Sequence, residues 1–433
     1  MNKKSTFAIF SSSYLGNMVE LFDFALCGIL LSIFGDIFFP PSLAGFFSGS
    51  LVFFMGALLR PFGGVVIGKI GDTYGRRAGV FISIIGMGVA TLGMAFLPTF
   101  ESIGILSCVG FVFLRFLQSF CMGGESPGAI IFLMEHLKKI GKTNLSGIFA
   151  TSNMVAFMGV AVAAYLINTS ENPKETWRYA FMIGGAFSLI ALLIRFYLDE
   201  TPEFIDSKKF PNEPILNTIK LYKYHLTLGI VFSSYAGALS YFNASFIPRY
   251  VKEYLQIAGN EVFLFSFISQ GIMGLCIFFC ARWIQQKNLA RKAAYMSFFM
   301  GALLPIPISI GLVYGSLFLK TLCAFSFFIP LSITGATFYH LIVELFPVKH
   351  RYVLTALSLN VGIAVFGGMQ PMVNSWLIYK TGVITAPAFF ICFISFMFIG
   401  IIRIKGVNEV FWKTNNEESD KVFKVQDALK KSA

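Results

Sequence analysis

Three polar side chains lie at three-residue intervals in the first long apolar segment of the sequence. Asn17, Glu20 and Asp23 therefore share one stripe of a helix. A carboxylate among apolar residues is costly to keep charged against lipid, so these side chains should face protein, water or a solute. Two interpretations remain open: a buried ion pair that only fastens helices together, and a carboxylate that takes up a proton or contacts a substrate.

Two arginines stand in later apolar segments and are the candidate partners of these acids. Arg60 lies in the second segment, and Arg115 lies in the fourth, where it shares a helix face with Gln118. A buried arginine keeps its charge, and its forked donors fit a carboxylate of the protein or of a solute. We favour a functional role for Arg115. For Arg60, a structural ion pair with Glu20 or Asp23 and a substrate contact remain open.

A third acid, Glu125, follows Gly123 and Gly124 and precedes Pro127, a pattern that predicts a kink or a close helix crossing. A helix rises about 1.5 Å per residue, which places Glu125 about 15 Å from Arg115 along the axis, too far for a direct contact. Glu125 therefore needs another partner or is neutral for part of a working cycle. The second alternative predicts that Glu125 couples proton movement to transport.

A charged loop rich in glycine separates the second and third apolar segments. Its glycines, including Gly68 and Gly75, allow a short reversal of the chain. Asp72 can cap or pair with a helix start, and Arg76 and Arg77 can hold the loop at a headgroup surface. The loop is the predicted hinge between two membrane segments.

Two further acids end apolar segments beside basic loops. Glu135 ends the fourth segment and Glu344 ends the tenth, just before Lys349 and Arg351. We predict that they are gate residues at the cytoplasmic side, where the hinge loop at residues 68–77 opposes Glu135 and the loop that holds Arg351. Structural pairing is the favoured role of these two acids.

The composition places the whole chain in a bilayer. Its 433 residues are 56% hydrophobic and 13% charged, and the mean hydropathy is +0.72. A crossing helix needs about 20 apolar residues, and such runs recur from end to end. Since the interior of a bilayer leaves open backbone groups without partners, the sequence predicts an all-α integral membrane protein with twelve transmembrane helices.

The order of the segments predicts two related bundles of six helices. The basic pair at 291–292 repeats that at 76–77 with an offset of 215 residues, and Glu344 repeats Glu135 with an offset of 209. The predicted units are an N-terminal bundle at 1–198, a central cytoplasmic linker at 199–224, a C-terminal bundle at 225–405 and a cytoplasmic tail at 406–433. Parallel halves of this kind place a solute site near the midplane between them.

The distribution of lysine and arginine sets the predicted orientation. The net charge is +12, and most basic residues fall on one side if both termini are cytoplasmic, as the positive-inside rule requires. This placement leaves no reason to invoke nucleic acid. The seven cysteines lie in apolar runs, so neither a disulfide framework nor a metal site is expected. We expect a monomer in a bacterial cytoplasmic membrane.

Several of these segments carry a family resemblance. The loop at 68–77 resembles the signature loop of the major facilitator superfamily. The chain is also similar to the metabolite:proton symporter family, which includes proline/betaine and α-ketoglutarate permeases. The matching segments are GNMVELFDF at 16–24, RPFGG at 60–64, GGE at 123–125, WR at 177–178 and ELFPVKHRY at 344–352. The resemblance implies uptake of a small organic solute with protons by alternating access, driven by the proton gradient without a cofactor.

The residues leave the solute open. Tyr235, Tyr241, Tyr339 and Trp376 are candidates to line a cavity, where an aromatic face suits a quaternary ammonium group. A carboxylate solute would instead use the two buried arginines. An efflux antiporter of the same fold and a membrane sensor without transport are the alternative functions, whereas the sequence shows no nucleophile elbow, phosphate loop or metal cluster typical of an enzyme.

Overall fold

The computed structural model describes residues 3–40, 50–207, 214–243, 259–363, 367–384 and 386–412. Part of the predicted linker, at 208–213, and most of the predicted tail, from 413 onward, lie outside the described residues. Within the described ranges the chain forms helices joined by short turns, and no strand is present there.

The N-terminal helices run from α1 to α8. They are α1 (Lys3–Ile29), α2 (Leu31–Phe38), α3 (Ser50–Thr73), α4 (Arg76–Phe96), α5 (Phe100–Ile103), α6 (Ile105–His136), α7 (Lys142–Thr169) and α8 (Pro173–Phe196). Two short helices, α9 (Pro202–Ser207) and α10 (Ile215–Leu221), fall within the predicted linker.

The C-terminal helices are more often divided. They are α11 (Lys223–Tyr241), α12 (Gly259–Lys287), α13 (Ala290–Leu303), α14 (Pro305–Tyr314), α15 (Leu317–Ser326), α16 (Phe328–Glu344), α17 (Arg351–Gly362), α18 (Gln370–Thr381), α19 (Ala386–Ile402) and α20 (Lys405–Trp412).

Five helices of the described chain are long and apolar enough to cross a bilayer, and up to eight spans result if each bent helix pair counts as one. One bent pair is α13 with α14, whose axes differ by 46°. The other predicted spans are divided between shorter helices or adjoin residues outside the described ranges. Their order along the chain is consistent with twelve passes.

The N-terminal and C-terminal helices meet along two seams. At the first seam α3 packs on α17, and at the second seam α7 packs on α12 and α16. Small residues bring the backbones together: a Cβ added at Gly68 would lie 2.7 Å from the Cα of Val353, and one at Gly147 would lie 2.2 Å from the Cβ of Ala281. Such glycines are the usual means of close helix approach in membranes.

We call the end of the bundle that carries Arg76, Lys138, Arg291 and Arg351 the basic end. Most ion pairs of the described chain lie there, and the loops that join α3 to α4, α6 to α7 and α16 to α17 meet at it. Between this end and the opposite one, apolar side chains form the core, and the polar side chains described below interrupt it.

Candidate functional site

A buried ion pair joins α1 to α3 in the interior of the bundle. Nη2 of Arg60 lies 2.8 Å from Oε1 of Glu20, and both side chains are nearly inaccessible. Nε of Arg60 donates to Oδ1 of Asn360 on α17 at 3.3 Å, so the pair also reaches the C-terminal helices. The guanidinium lies over the ring of Phe24, 5.5 Å from its centroid. The predicted contact between Glu20 and Arg60 is therefore confirmed.

The second predicted pair is not direct. The hydroxyl of Thr91 donates to Oδ2 of Asp23 at 2.5 Å, Nε2 of Gln118 donates to Oγ1 of Thr91 at 2.9 Å, and Nη1 of Arg115 donates to Oε1 of Gln118. The three hydrogen bonds form a chain that runs from Arg115 through Gln118 and Thr91 to the Asp23 carboxylate. The sequence places Asp23, Arg115 and Gln118 together correctly, but it gives no sign that Thr91 joins them, because a lone threonine in an apolar run is common.

Both clusters contain polar atoms without a hydrogen-bond partner in the described chain. These atoms are Oε2 of Glu20, Oδ1 of Asp23, and Nε and Nη2 of Arg115, and all are buried. An unpaired buried polar atom of this kind costs about 1–3 kcal/mol, and more for a charged group. The clusters therefore have unused capacity to bind a proton, a water molecule or a polar solute.

Asn17 lies one helical turn from Glu20 and organises a neutral network. Nδ2 of Asn17 donates to Oγ of Ser152 at 2.7 Å and to Oδ1 of Asn153 at 2.5 Å, and Oγ of Ser126 donates to Oδ1 of Asn17 at 2.5 Å. Nδ2 of Asn153 donates to the hydroxyl of Tyr339 on α16 at 3.3 Å. The network crosses the second seam, so it links the polar stripe of α1 to the C-terminal helices.

Glu125 is fully paired, with Arg195 of α8. Nη1 of Arg195 donates to Oε2 of Glu125 at 2.9 Å, and Nη2 donates to Oε1. The same guanidinium donates to Oγ of Ser12 at 3.0 Å and to the carbonyl oxygen of Val80 at 2.8 Å. The expectation that Glu125 seeks a partner other than Arg115 is met. Sequence reasoning missed Arg195, although an arginine inside the sixth apolar segment was the available signal.

Glu135 is the centre of an ion-pair cluster at the basic end. Nη1 of Arg351 lies 2.9 Å from Oε1 of Glu135, and Nε of Arg76 lies 3.5 Å from Oε2. The hydroxyl of Thr201 donates to Oε2 of Glu135 at 2.6 Å, and Arg351 also binds Oε2 of Glu203 at 2.5 Å. The predicted contact between Glu135 and the loop that holds Arg351 is present, and it spans the first seam.

Asp72 caps α17 across the same seam. The backbone N–H groups of Tyr352 and Val353 donate to its two carboxylate oxygens at 3.1 and 2.9 Å. Arg76 binds Asp72 and the carbonyl oxygen of Val348. A carboxylate at a helix N-terminus satisfies free N–H groups and opposes the positive end of the helix dipole. The predicted capping role of Asp72 is confirmed, with the capped helix on the far side of the seam.

The ring of Tyr352 fills a socket made of glycines from three N-terminal helices. A Cβ added at Gly71, Gly79 or Gly128 would lie 2.0, 2.5 or 2.0 Å from atoms of this side chain, respectively. The Tyr352 hydroxyl donates to the carbonyl oxygen of Gly124 at 2.8 Å, and the residue is 0% exposed. A C-terminal side chain is thus held by the N-terminal helices, a feature that no sequence pattern indicated.

Glu344 is the centre of a second ion-pair cluster, at the second seam. It lies 3.2 Å from Nζ of Lys142, 3.4 Å from Nη2 of Arg291 and 3.4 Å from Nε2 of His340. Nδ1 of His340 is 2.9 Å from Oγ1 of Thr143. Lys142 and Thr143 belong to α7, so this predicted gate residue also connects the N-terminal and C-terminal helices.

The two clusters are related by the sequence repeat. Glu135 and Glu344 differ by 209 residues, and Lys142 and Arg351 differ by the same 209. In each cluster an acid that ends one helix binds a basic residue that begins a helix of the opposite set. The repeat predicted from sequence therefore extends to the contacts at the basic end.

Arg77 has a different place from the one predicted. Its Nη2 donates to the carbonyl oxygen of Phe196 at 2.7 Å, and its backbone N–H donates to Glu200 at 3.2 Å. Both partners belong to the N-terminal half of the chain, at the end of α8 and at the start of the predicted linker. Gly75 has a φ of +128°, which favours glycine at this turn between α3 and α4. Arg77 therefore anchors the loop to the start of the linker rather than to the C-terminal helices.

The predicted linker takes part in the first cluster, which sequence reasoning missed. Glu203 lies 2.8 Å from Nζ of Lys138 and also binds Arg351. Burial raises the pKa of Glu203, but Arg351 and Lys138 outweigh burial, and the pKa lies below its ordinary value. The polar composition of this segment pointed only to a solvated connector, so its acids were not expected at a helix interface.

Two of the four aromatic candidates lie away from the buried pair. The hydroxyl of Tyr235 donates to the carbonyl oxygen of Ser297 at 2.5 Å within the C-terminal helices, and Trp376 is 57% exposed on the outside of α18. Tyr241 packs against the cluster that contains Phe24. That Tyr235 or Trp376 lines a cavity therefore stays a prediction without support from these contacts, and Tyr241 and Tyr339 also stay candidates.

Comparisons with known proteins agree with this arrangement. The family model of the Major Facilitator Superfamily matches residues 13–359. A Staphylococcus haemolyticus protein named as a proline/betaine transporter is 28% identical, with 94% of this chain and 88% of that protein covered. The ectoine/proline transporter ProP of Corynebacterium glutamicum is 25% identical (88% and 80% covered), and the citrate-proton symporter of Salmonella typhi is 27% identical (90% and 92% covered).

Solved structures show the same fold. The proton:xylose symporter XylE bound to 6-bromo-6-deoxy-D-glucose superposes with a TM-score of 0.72 at 13% identity, with 94% of this chain and 97% of that chain covered. The matched family model covers most of the chain, and its fold is the one predicted from the twelve segments. The chain therefore belongs to the major facilitator superfamily and is a membrane transporter rather than an enzyme.

Proposed function

We propose that the chain is a secondary active transporter that carries a small zwitterionic solute together with protons. The observation that supports this most directly is the pair of clusters around Glu20 and Asp23, each of which combines a buried carboxylate, a buried arginine and unpartnered polar atoms. Such groups survive at membrane depth where a proton or a solute completes their contacts. Relatives named as proline/betaine, ectoine/proline and citrate-proton carriers support the same class.

The charge balance of the interior explains how a proton could change the site. Away from the basic end, the buried charged side chains of the described chain are three acids and three arginines, all in α1–α8: Glu20, Asp23, Glu125, Arg60, Arg115 and Arg195. Ionised together they sum to zero. A proton on one acid leaves a net positive charge, which favours a carboxylate group of an incoming solute.

The hydrogen bonds distinguish the three acids. Both oxygens of Glu125 are bonded to Arg195, whereas Glu20 and Asp23 each retain one oxygen without a partner in the described chain. Protonation of Glu125 would break a two-point contact, but protonation of Glu20 or Asp23 at the unpartnered oxygen would leave their existing bonds in place. We therefore assign proton coupling to Glu20 and Asp23 and a positioning role to Glu125.

A zwitterion fits the pair of Glu20 and Arg60. The free oxygen of Glu20 can accept from a cationic group or lie beside it, and the ring of Phe24 offers an aromatic face close by. Arg60 supplies the complementary cation for a carboxylate. A carboxylate solute is the second candidate, because the unpartnered donors of Arg115 suit it.

The contacts at the basic end describe a closed gate. Ion pairs and caps cross both seams there, and Tyr352 fills its socket. We place this end on the cytoplasmic side of a bacterial inner membrane, in a monomer, with transport by rocking of the predicted bundles at 1–198 and 225–405. A solute enters from the opposite end in this state, and opening of the basic end releases it. The ligand shifts the states only by its differential affinity for them.

Uptake by purified protein in liposomes tests the proposal. Radiolabelled proline, glycine betaine and citrate are offered with and without an imposed proton gradient. We expect accumulation of a zwitterion that requires the gradient. Glu20→Gln should lower accumulation at least about tenfold but preserve exchange of internal for external solute, because the protonated acid is mimicked. Glu101→Gln, which changes an exposed acid, is the matched control.

Three results would contradict the proposal. If only citrate is taken up in response to the gradient, the substrate is a carboxylate and not a zwitterion. Solute movement opposite to the proton flow would indicate an antiporter. Full accumulation by both Glu20→Gln and Asp23→Asn would remove these acids from coupling.

A further inference from the structure

The eleventh pass departs from α-helical hydrogen bonding midway, beside the end of α11. Helix α17 ends at Gly362 and α18 begins at Gln370, and the backbone N–H of Gly368 donates to the carbonyl oxygen of Ile363, a wider turn than an α-helix has, at 2.8 Å. A Cβ added at Gly237 of α11 would lie 3.3 Å from the Cα of Ile363. A local change from α-type to π-type hydrogen bonding inside a helix is frequent at functional sites.

Two amide side chains follow this irregularity on one face of α18. Gln370 and Asn374 are four residues apart, so they lie one above the other on the helix. They are 0% and 4% exposed, and the oxygen and nitrogen of both amides have no hydrogen-bond partner in the described chain. The opposite face carries Trp376 and Tyr379, which are 57% and 83% exposed. The helix therefore turns its polar stripe inward.

Four unpartnered amide atoms are a large deviation from normal protein interiors. Buried polar atoms are nearly always hydrogen-bonded, and a glutamine or asparagine confined inside a membrane protein usually faces a polar cavity or another polar group. Ser297 and Thr334 of the C-terminal helices bind each other and backbone carbonyls. Gln370 and Asn374 have both amide atoms without a partner in the described chain, whereas other buried polar side chains there have one such atom: Ser233, Gln270, Thr355 and Ser358. The amide pair therefore needs an external partner.

Tyr241 packs near the segment that precedes the amide pair and near the cluster beside the buried ion pair of α1 and α3. A Cβ added at Gly367 would lie 3.0 Å from the ring of Tyr241. The same tyrosine packs against the cluster that contains Phe24, and Phe24 lies under the Arg60 guanidinium. Tyr241 thus lies between the segment before Gln370 and the hydrophobic cluster that adjoins Arg60.

We propose that Gln370 and Asn374 form a solute subsite that selects for N–H or O–H donors. This inference rests on the proposed transport of a zwitterion and assigns its selectivity to the C-terminal helices. An amide offers both N–H donors and a carbonyl acceptor. The carbonyl acceptors can bind a primary or secondary ammonium group or a hydroxyl, while the solute carboxylate is left to Arg60. A quaternary ammonium group has no N–H and leaves the amide oxygens unpaired.

The charge distribution supports this division of roles. The buried polar side chains of the described C-terminal helices are amides and hydroxyls, whereas every buried charged side chain of the described chain precedes residue 200. A neutral amide discriminates solutes by hydrogen bonds and not by net charge. A site built to bond an N–H group rejects an analogue without it, because the buried acceptor is then left unpaired.

Two solutes with one carbon skeleton test the inference. Proline has two N–H donors as a zwitterion, and N,N-dimethylproline has none. Gln370→Leu and Asn374→Leu are compared with the wild type in liposome uptake, and Ser375→Leu, at the next, exposed position of the same helix, is the control. We expect each amide variant to raise the KM for proline at least about tenfold and that for N,N-dimethylproline less than about twofold.

The outcomes separate this inference from the proposed function. Equal changes for the two solutes, or no change for either, would overturn the donor-selective subsite while proton-driven transport stands. If an amide variant has unchanged KM values and higher thermal stability, the amides destabilise the folded protein and do not bind the solute, which would overturn the subsite. If the wild type transports citrate but neither proline nor N,N-dimethylproline, the proposal of a zwitterionic substrate is wrong. If the KM for citrate is then unchanged in both amide variants, the proposal of a subsite is wrong as well.

Discussion

Removal of the Tyr352 ring should open the basic end of the transporter. The side chain is fully buried in the glycine socket, and its hydroxyl binds the carbonyl oxygen of Gly124. When the seam between α3 and α17 separates, the ring must leave Gly71, Gly79 and Gly128 behind. Tyr352→Ala should therefore destabilise the closed state relative to the open state.

The size of the effect follows from the buried ring. Replacement of a buried large aromatic residue by alanine costs about 3–5 kcal/mol in a protein core. We take the lower end, about 3 kcal/mol, because the ring retains contacts with its own helix in both states. At about 1.4 kcal/mol per tenfold, the ratio of open to closed molecules should rise about 100-fold.

The rate of cysteine labelling reports this ratio. In a variant without the seven native cysteines, a single Val353→Cys places a thiol in the closed first seam, where Val353 is 4% exposed. A water-soluble maleimide should react about 100-fold faster when Tyr352→Ala is added, within the limit set by the fully open rate. Tyr352→Phe keeps the ring and should change the rate by less than about tenfold, since one hydrogen bond contributes about 1 kcal/mol.

The control is Tyr74→Ala, which removes a tyrosine that is 74% exposed in the neighbouring loop. It should leave the labelling rate unchanged. The reasoning is refuted if Tyr352→Ala labels at the wild-type rate while Arg351→Gln, which breaks an ion pair across the same seam, labels faster. Closure would then depend on charge alone.

Three further outcomes are expected. Glu125→Gln should lower the thermal stability and retain proton-driven uptake, because a broken buried ion pair costs about 3–5 kcal/mol; lost uptake at unchanged stability would show instead that Glu125 couples the proton. The low pKa of Glu203 means that its contact with Arg351 contributes fully above the unfolded value of about 4.3 and is lost as the pH falls through the lower folded value. The labelling rate at position 353 is divided by the rate of a Tyr74→Cys variant in the same cysteine-free background, because the reactive thiolate fraction itself falls with pH. This ratio should be the same at about pH 7.5 and about pH 5.5, and an increase at the lower pH would require another titrating group. Arg351→Gln should raise that rate more than Lys142→Gln does, and the reverse order would place the main latch at the second seam.

The sequence predicted the position of a side chain correctly where that position depends on spacing within a single helix. The three-residue spacing of Asn17, Glu20 and Asp23 predicted a shared inward face, and all three side chains are buried. The repeat predicted Glu135 and Glu344 as related residues at the basic end, and each binds a basic residue of the opposite set of helices.

Sequence reasoning failed where a contact depends on which helices become neighbours. Arg195 and Glu125 are 70 positions apart, and the spacing along either helix does not indicate that they meet. The socket of Tyr352 requires glycines from three separate helices, each of which looks like an ordinary small residue in an apolar run. Glu203 was assigned to a solvated linker because composition does not reveal that a short polar segment folds back against Arg351.

The two ion-pair clusters at the basic end repeat each other in position but differ in their surroundings. At the first seam the side chains of Arg351 and Glu135, which pair across it, are 13% and 1% exposed. At the second seam those of Lys142 and Glu344 are 49% and 19% exposed. An exposed pair contributes about 0–1 kcal/mol and is screened by salt, whereas loss of one partner from a buried pair costs several times more.

This difference assigns unequal roles to the seams. The first seam combines the largely buried pair of Glu135 and Arg351, the cap of α17 by Asp72 and the seated ring of Tyr352, so its contacts at the basic end are better shielded from water than the ion pair of the second seam. Arg60 also touches Asn360 of α17, which connects the first seam directly to the proposed solute site. A solute that draws Arg60 away from Asn360 therefore acts directly on the first seam.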